Sequence, residues 1–522
     1  MQSYTTLGDL YDSCTTFYAD HIAIKHEDRS ISYREVRDKA YRLAHAFQNI
    51  GLNKGDKVAF LMVNCPEYIF TEYALAKIGA ARVPLAVALG SADHIYMMNH
   101  SGAKALIYHA RLAARVKEML PHLETVKTFV CVGDEPTMTG HLRLETLMAQ
   151  SVPKITPVLV TQDDLCGLYY TGGTTGRPKG VMLSHRAWVN SILLEMLELG
   201  IGMREKFAYL TPLTHAGGVL LLPVLMREGT CVIFDHFDPR EFLQATQREK
   251  ITSAFVVPTM LYLLLDDPDL KKYDTSSLRN IIYGAAPIGA ERLRQALDTF
   301  GPIFSQLFGQ TEAPMMISAL PRENHIVADP ERQKKILTSC GRPTITTQVR
   351  IVDQDDQDVP PGEVGEIIAR PMNVMDGYYK DPEQTAKTLK DGWLHTGDMA
   401  RQDEYGYLYI VDRSKDMIVT GGFNVYPREV EDALFEHPAV KSAAVIGVPD
   451  AKWGEAVKAI VVLHPGKTAT EEELIEFVKA RKGSVMTPKS VEFWDAIPLT
   501  NLGKLDKKKI REKYWQGHER RV

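Results

Sequence analysis

The chain has 522 residues with 45% hydrophobic and 24% charged side chains, and its 61 Lys and Arg against 66 Asp and Glu leave a formal net charge of −5. That composition excludes a disordered, collagen-like or disulfide-scaffold protein and disfavours one that holds nucleic acid through bulk positive charge. At roughly 100–200 residues per domain the length predicts three or four structural units, enough to bury a large core without disulfides or metals.

Ser32 to Val36 opens a helical period carried by Val36, Ala40, Leu43, Ala44 and Phe47, and Gly51 ends it. Residues 58–63 are a continuous apolar run that reads as a buried strand. Residues 66–78 are helical again with Gly79 as the stop, and 83–85 form a short strand. The rhythm recurs at 105–108, 128–132, 207–210, 231–234, 253–257 and 280–283, which predicts parallel sheets covered by helices. After about residue 340 the texture changes, and 349–352, 364–370 and 408–411 read as a meander joined by Asp, Gly and Pro turns. From Ser414 a compact α+β unit follows, with a helix at 427–437, strands at 442–448 and 456–463, and a helix at 471–482.

The six cysteines are scattered and form no C-x-x-C pair, so zinc and redox readings fail and a reducing compartment is expected. The first residues lack the basic and apolar blocks of a signal peptide. The longest apolar stretch, 217–226, is too short to span a bilayer and contains Pro223. A cytoplasmic protein without an integral membrane segment is expected.

The most informative segment is Tyr169-Tyr170-Thr171-Gly172-Gly173-Thr174-Thr175-Gly176-Arg177-Pro178-Lys179-Gly180. An apolar strand runs into a loop of glycines, threonine hydroxyls and two cations. Glycines let backbone N–H groups converge on an anion, hydroxyls add donors, and Arg177 and Lys179 add charge. A polyphosphate is the natural guest. The loop is not a Walker A, because Gly180 and Val181 follow Lys179 in place of Ser or Thr and a helix.

This loop resembles the phosphate-loop signature of the adenylate-forming superfamily of acyl-CoA synthetases, luciferases and peptide-synthetase adenylation domains. Further matches follow in the expected order. Pro212-Leu213-Thr214-His215-Ala216-Gly217-Gly218 is similar to the substrate gate, where the His lies beside the carboxylate. Tyr283-Gly284-Ala285-Ala286-Pro287 is similar to the lining of the adenine and acyl pockets, and Phe308-Gly309-Gln310-Thr311-Glu312 to the next motif. The resemblance implies that Phe308 stacks on adenine, Thr311 touches the α-phosphate, and Glu312, with Thr174, holds Mg²⁺. Gly392-Trp393-Leu394-His395-Thr396-Gly397-Asp398 resembles the ribose clamp, with Asp398 as its carboxylate. In the segment Asp412 to Pro427 the resemblance makes Arg413 a nucleotide ligand and Lys415 the hinge, and lets the pantetheine arm of coenzyme A pass close to Gly421 and Gly422. Pro498 to Lys504 resembles the catalytic-lysine motif, in which Lys504 offsets charge at the pentavalent transition state; without it, Lys504 reads as one lysine of a solvated basic tail. Trp453 matches a position that contacts the coenzyme A nucleotide in some members and reads equally well as a packed Trp. One departure stands at Met486, where many members carry a cation.

The resemblance implies an α/β protein with a large N-terminal domain of parallel and mixed sheets flanked by helices plus a β-meander, and a small mobile α+β C-terminal domain. The expected boundaries are an adenylation body at 1–411, a hinge at 412–416 and a cap at 417–522. The implied activity is a carboxylic acid–CoA ligase that uses ATP, Mg²⁺ and coenzyme A and passes through an acyl-AMP. Apolar and small residues at 188–196, Ala216, Gly217, Val257, Ala285, Ala286 and Met315 suggest a medium- or long-chain fatty acid or a ring-bearing hydrophobic acid. No buried cation that would pair a second carboxylate is evident. Two alternatives stay open, a standalone enzyme that loads a carrier-protein phosphopantetheine and a non-catalytic nucleotide-binding relative. A homodimer is compatible with either.

Overall fold

A computed structural model describes residues 5–133, 138–171, 177–286, 288–413, 416–420, 423–450, 453–499 and 505–515, the side chain of Arg413 excepted. The chain divides into two compact units, Met1–Gln348 with Arg370–Leu394, and Val349–Ala369 with His395–Val522.

Helices of the first unit start and stop on the residues expected to do so. Ser32 Oγ accepts from the Glu35 amide at 3.3 Å while the Glu35 carboxylate accepts from the Ser32 amide at 2.8 Å, and this reciprocal cap starts the helix Tyr33–Asn49. Its apolar face, Val36, Ala40, Leu43, Ala44 and Phe47, is buried. Helix Pro66–Ile78 begins on its proline and ends at Gly79 in the left-handed conformation, φ 71°. Every residue of that helix except Lys77 is buried, so it has no polar face at all.

Two sheets carry this unit. Among the described residues the first has nine strands, in the order Arg342–Pro343, Ala313–Leu320, Phe304–Gln310, Asn280–Gly284, Ser253–Val256, Lys206–Tyr209, Thr230–Ile233, Ile22–His26 and Arg29–Ser32. From Phe304–Gln310 through Ile22–His26 the pairing is parallel throughout, and antiparallel partners close both edges. The second has eight, in the order Gly377–Tyr378, Lys179–Ser184, Leu165–Thr171, Ala81–Pro84, Lys57–Leu61, Ala105–His109, Thr128–Val132 and Leu142–Arg143. The parallel topology of the first sheet decides where chemistry can sit. The segments after Lys206–Tyr209, Ser253–Val256, Asn280–Gly284 and Phe304–Gln310 all leave from carboxyl ends of parallel strands, and so emerge along one edge.

The second unit contains the meander strands Gly365–Arg370, Trp393–Gln402 and Leu408–Arg413 and a second, mostly antiparallel sheet of Phe423–Val425, Ile418–Thr420, Gly454–Leu463, Val440–Asp450 and Ser490–Phe493. Helices Pro427–Phe435 and Glu471–Met486 supply Val430, Leu434, Leu474 and Val478 to its core. Gly483, at φ 78°, interrupts the longer helix, which is why its period fades at about residue 482. Of the meander, Val349–Ala369 and the segment from His395 onward group by contacts with the C-terminal unit. Asp412 Oδ2 accepts from the Arg428 amide at 2.9 Å, and Arg401 pairs with Glu429 at 3.1 Å.

All six cysteines are buried and none is in a disulfide. Burial pushes the thiols of Cys14, Cys65 and Cys131 up and those of Cys166 and Cys231 up to about 12. No helix of the described residues is long and apolar enough to cross a membrane.

Two buried imidazoles set an acid limit. His185 Nδ1 accepts from the Leu7 amide at 3.3 Å, and His325 bridges Pro321 O at 3.1 Å and Tyr283 Oη at 3.0 Å. Burial pushes both down to about 4. The unfolded chain, at about 6.5, therefore takes up these protons first. Stability is full above about pH 6.5 and is lost as pH falls toward 4, by roughly 3 kcal/mol for each imidazole. Urea midpoints measured from about pH 7 downward should fall accordingly, and His325→Gln should flatten part of the slope.

Candidate active site

The predicted phosphate loop closes a hairpin. Leu165–Thr171 and Lys179–Ser184 pair antiparallel, with Thr171 opposite Lys179 and Tyr170 opposite Gly180. The expected loop residues Gly172, Gly173, Thr174, Thr175 and Gly176 lie outside the described residues. What surrounds them is described. Tyr170 Oη shares a hydrogen bond with His100 Nδ1 at 2.8 Å, Arg177 lies 5.3 Å from the Tyr96 ring, and Lys179 Nζ lies 5.2 Å from the Tyr378 ring. The base of the loop is thus an aromatic cradle with its cations held against ring faces.

The second motif reaches the same place from the other sheet. Strand Phe304–Gln310 turns at Thr311 and Glu312 into Ala313–Leu320. Tyr378 Oη donates to Glu312 Oε1 at 2.7 Å, and the Met375 amide donates to the Glu312 carbonyl at 2.8 Å. Tyr378 pairs with Val181 in the phosphate hairpin, so one short strand joins Lys179 to Glu312. Burial, with Glu312 beside it, pushes the Tyr378 phenol up, which keeps it a proton donor. No cation among the described residues pairs with Glu312, whose half-buried carboxylate keeps open lone pairs. A hard oxygen donor of that kind fits Mg²⁺. Tyr378 was not singled out from sequence; Gly377-Tyr378-Tyr379 carries no period or spacing that marks it. Tyr378→Phe should raise the ATP and Mg²⁺ requirement, with kcat/KM for MgATP falling roughly 10-fold, the worth of one hydrogen bond to a charged group. Steady-state kinetics at varied Mg²⁺ checks this.

The segment expected to line the adenine and acyl pockets follows strand Asn280–Gly284. A Cβ on Gly284 would meet Leu307 O at 2.6 Å, and one on Gly309 would meet the Met315 carbonyl carbon at 2.3 Å. Both glycines are therefore fixed by close backbone approach. Ala285 (φ 63°) and Met315 (φ 61°) stand in the left-handed region that L side chains rarely adopt, and strain at both positions fits a recognition surface. Ala286 follows Ala285, and Phe308 and Thr311 are half-buried on the turn side of their strand.

The gate loop is held by a residue that sequence reasoning missed. Asn64 Nδ2 donates to Thr211 O at 3.1 Å and Phe234 O at 3.0 Å, and its Oδ1 accepts from the Leu213 amide at 2.8 Å. His215, exposed, then precedes the short helix Ala216–Val219. A polar residue between an apolar strand and Pro66 was the available signal.

Helix His185–Glu198 buries Trp188 and Ile192, which belong to the segment expected from sequence to wall the acyl pocket. Beneath it lies the buried cation that the sequence did not reveal. Arg82 Nη1 is 2.5 Å from Glu72 Oε2, with both side chains buried, and Tyr11 Oη donates to Glu72 Oε1 at 2.8 Å. Arg82 Nε also donates to Tyr169 Oη, and its guanidinium lies 4.9 Å from the Trp188 ring.

In the second unit Asp398 is 3% exposed and stands opposite Arg413 in the meander, where its amide donates to Thr396 Oγ1 at 3.1 Å. Trp453 is 40% exposed, and its amide donates to Asp450 Oδ1 at 2.8 Å. Met486 packs against the cap core. Lys415, Gly421, Gly422 and Lys504, and the side chain of Arg413, lie outside the described residues.

Residues 11–379 match the family of AMP-binding enzymes and 429–504 the AMP-binding enzyme C-terminal domain. Over 507 residues the chain is 40% identical to a medium/long-chain-fatty-acid–CoA ligase of Mycobacterium tuberculosis, covering 95% of this chain and 88% of that protein. It is 38% identical over 494 residues to a feruloyl-CoA synthase of Amycolatopsis, covering 94% and 96%. Among solved structures, an amide bond synthetase of Marinactinospora thermotolerans superposes with a TM-score of 0.89 at 33% identity, covering 97% of this chain and 99% of that one.

Proposed function

We propose a function for this chain from the premise that it belongs to the AMP-binding enzyme family. It is an adenylate-forming acid–CoA ligase, with ATP, coenzyme A and a carboxylic acid as substrates. The acid we assign is a medium- or long-chain fatty acid or a ring-bearing hydrophobic acid. The apolar faces of Trp188, Ile192 and Met315 support this, as do relatives named for fatty and feruloyl substrates. A diacid is disfavoured, because Glu72 already neutralises Arg82.

In the first half-reaction the carboxylate attacks the α-phosphorus of ATP and pyrophosphate leaves, which turns a poor acyl leaving group into a good one. Thr171, the loop through Gly176 and Lys179 hold the β- and γ-phosphates. Thr311 meets the α-phosphate, Phe308 and the loop from Gly284 to Ala286 take the adenine, and Asp398 takes the ribose hydroxyls. Mg²⁺, held by Glu312 and Thr174, would neutralise phosphate charge. Lys504 orients the attack and offsets charge at the pentavalent centre, and His215 stands beside the carboxylate. In the second half-reaction the coenzyme A thiol displaces AMP. We assign Lys415 as the pivot of the exchange that replaces Lys504 with Gly421 and Gly422 at the reacting centre, and Trp453 to the coenzyme A nucleotide. A cytoplasmic setting fits six thiols without a disulfide.

The observation that carries this reading is the convergence of Lys179, Tyr378 and Glu312 at the mouth of the phosphate hairpin. Pyrophosphate release from ATP and a panel of acids, with and without coenzyme A, tests it. Apolar monoacids should release pyrophosphate and give the CoA thioester. Release without thioester would point to a carrier-protein acceptor. No release with any acid at saturating MgATP would falsify the ligase assignment.

A further inference from the structure

A small recess of about 10 Å³, room for roughly one water, lies behind the gate helix and is lined by Glu72, Arg82, Trp188, Ile192, Gly218, Val219, Leu222 and Leu7. Its walls are of two kinds. Ile192, Val219 and Leu222 are apolar, whereas Arg82 and Glu72 form the buried ion pair. Trp188 is 3% exposed, and its Nε1–H, also buried, has no hydrogen-bond partner. A buried donor without an acceptor costs about 1–3 kcal/mol, so an indole N–H left this way beside a recess is a position that an acceptor can satisfy.

Two other observations place the recess next to the expected gate and orient the indole that faces it. Gly218 and Val219 belong to the same short helix that follows His215, so the recess and the gate share a wall. The stacking of Arg82 on the Trp188 ring, at 4.9 Å, fixes the plane of the indole, so its N–H has a set direction.

We propose that this recess is a polar subsite at the far end of the acyl pocket, in which Trp188 Nε1–H donates to an oxygen carried by the acid at a distance from its carboxylate. The proposal rests on the acid–CoA ligase reading and on helix His185–Glu198 as the acyl wall. The ligand class is a hydrophobic monoacid bearing a distal neutral oxygen, such as a hydroxyl, ether or keto group. A distal carboxylate is not the ligand, because Glu72 lies in the same wall. With a fully apolar acid the Nε1–H stays without an acceptor; with an oxygenated acid the substrate oxygen accepts its hydrogen bond.

The test uses matched acids and Trp188→Phe, which removes the N–H while keeping an aromatic face for Arg82. The acids are hexanoate through dodecanoate with their ω-hydroxy counterparts, and hydrocinnamate with its para-hydroxy counterpart. In the native enzyme at least one oxygenated acid should exceed its deoxy partner in kcat/KM by about 10-fold, the effect of one satisfied buried donor. In Trp188→Phe that ratio should fall to about one, because the oxygenated member of the pair loses more than its deoxy partner. Native enzyme that adenylates the deoxy acids with no preference in any pair overturns the subsite and leaves the ligase assignment standing. Equal losses on both members of a pair in Trp188→Phe assign Trp188 to packing alone and also overturn it. Native enzyme inactive with every acid removes the ligase reading itself.

Discussion

Lys504→Ala should lower acyl-adenylate formation by roughly 10²–10³-fold, as the loss of one preorganised charge at a developing anion does elsewhere. Thioester formation from preformed acyl-AMP and coenzyme A should be largely retained. The split is expected because the two half-reactions ask for different groups. Adenylation builds charge on a pentavalent phosphorus, and a cation there acts on the transition state more than on bound ATP. Thiol attack on the acyl carbon expels AMP, whose phosphate is already formed. Isotope exchange between pyrophosphate and ATP reads the first step alone, and thioester appearance from synthetic acyl-AMP reads the second. Equal losses in both would contradict a division of labour about Lys415.

Arg82→Met should destabilise the first unit by about 3–5 kcal/mol, because it strands Glu72 as an unpaired buried charge. The neighbours leave no easy relief. Glu72 lies on a helix buried on every side but Lys77, and its other oxygen already accepts from Tyr11. Glu72→Gln in the wild-type background should cost a comparable amount, by stranding Arg82. The double variant should cost much less than the sum of the two, since it removes both charges and leaves a Gln amide whose oxygen can still accept from Tyr11. Denaturant midpoints of the four proteins close the cycle. Additive losses would mean that the pair is not coupled, and would remove the argument that Glu72 occupies Arg82 at the expense of a diacid substrate.

How much of this was legible without coordinates differs by feature. The motif order was fully readable, because segments such as 169–180 and 308–312 combine residues that are rarely found together. Strands and helices were readable where a cap or a period marked them, as at Ser32, Pro66 and Gly79. The Glu72–Arg82 pair was not. A helix buried all round has no amphipathic period to set one charge apart, and Arg82 sits in a four-residue strand whose other members are Ala81, Val83 and Pro84. Tyr378 was missed because a two-residue strand has no alternation to read. The grouping of the meander with the cap depends on Asp412 meeting the Arg428 amide and Arg401 meeting Glu429, contacts made between residues with no sequence pattern in common.

The buried cysteines have a consequence for traffic through the site. The reaction makes an acyl-adenylate, which any thiolate can attack, in the presence of a free thiol that can exchange with any accessible disulfide. Nucleophilicity belongs to the thiolate; burial puts the protein's own sulfurs out of reach and pushes the thiols of Cys14, Cys65, Cys131, Cys166 and Cys231 up, toward the protonated form. The activated acyl group therefore meets one competent sulfur, that of the incoming coenzyme. None of the enzyme's own cysteines is placed to take the acyl group from the intermediate or to form a mixed disulfide with the cosubstrate.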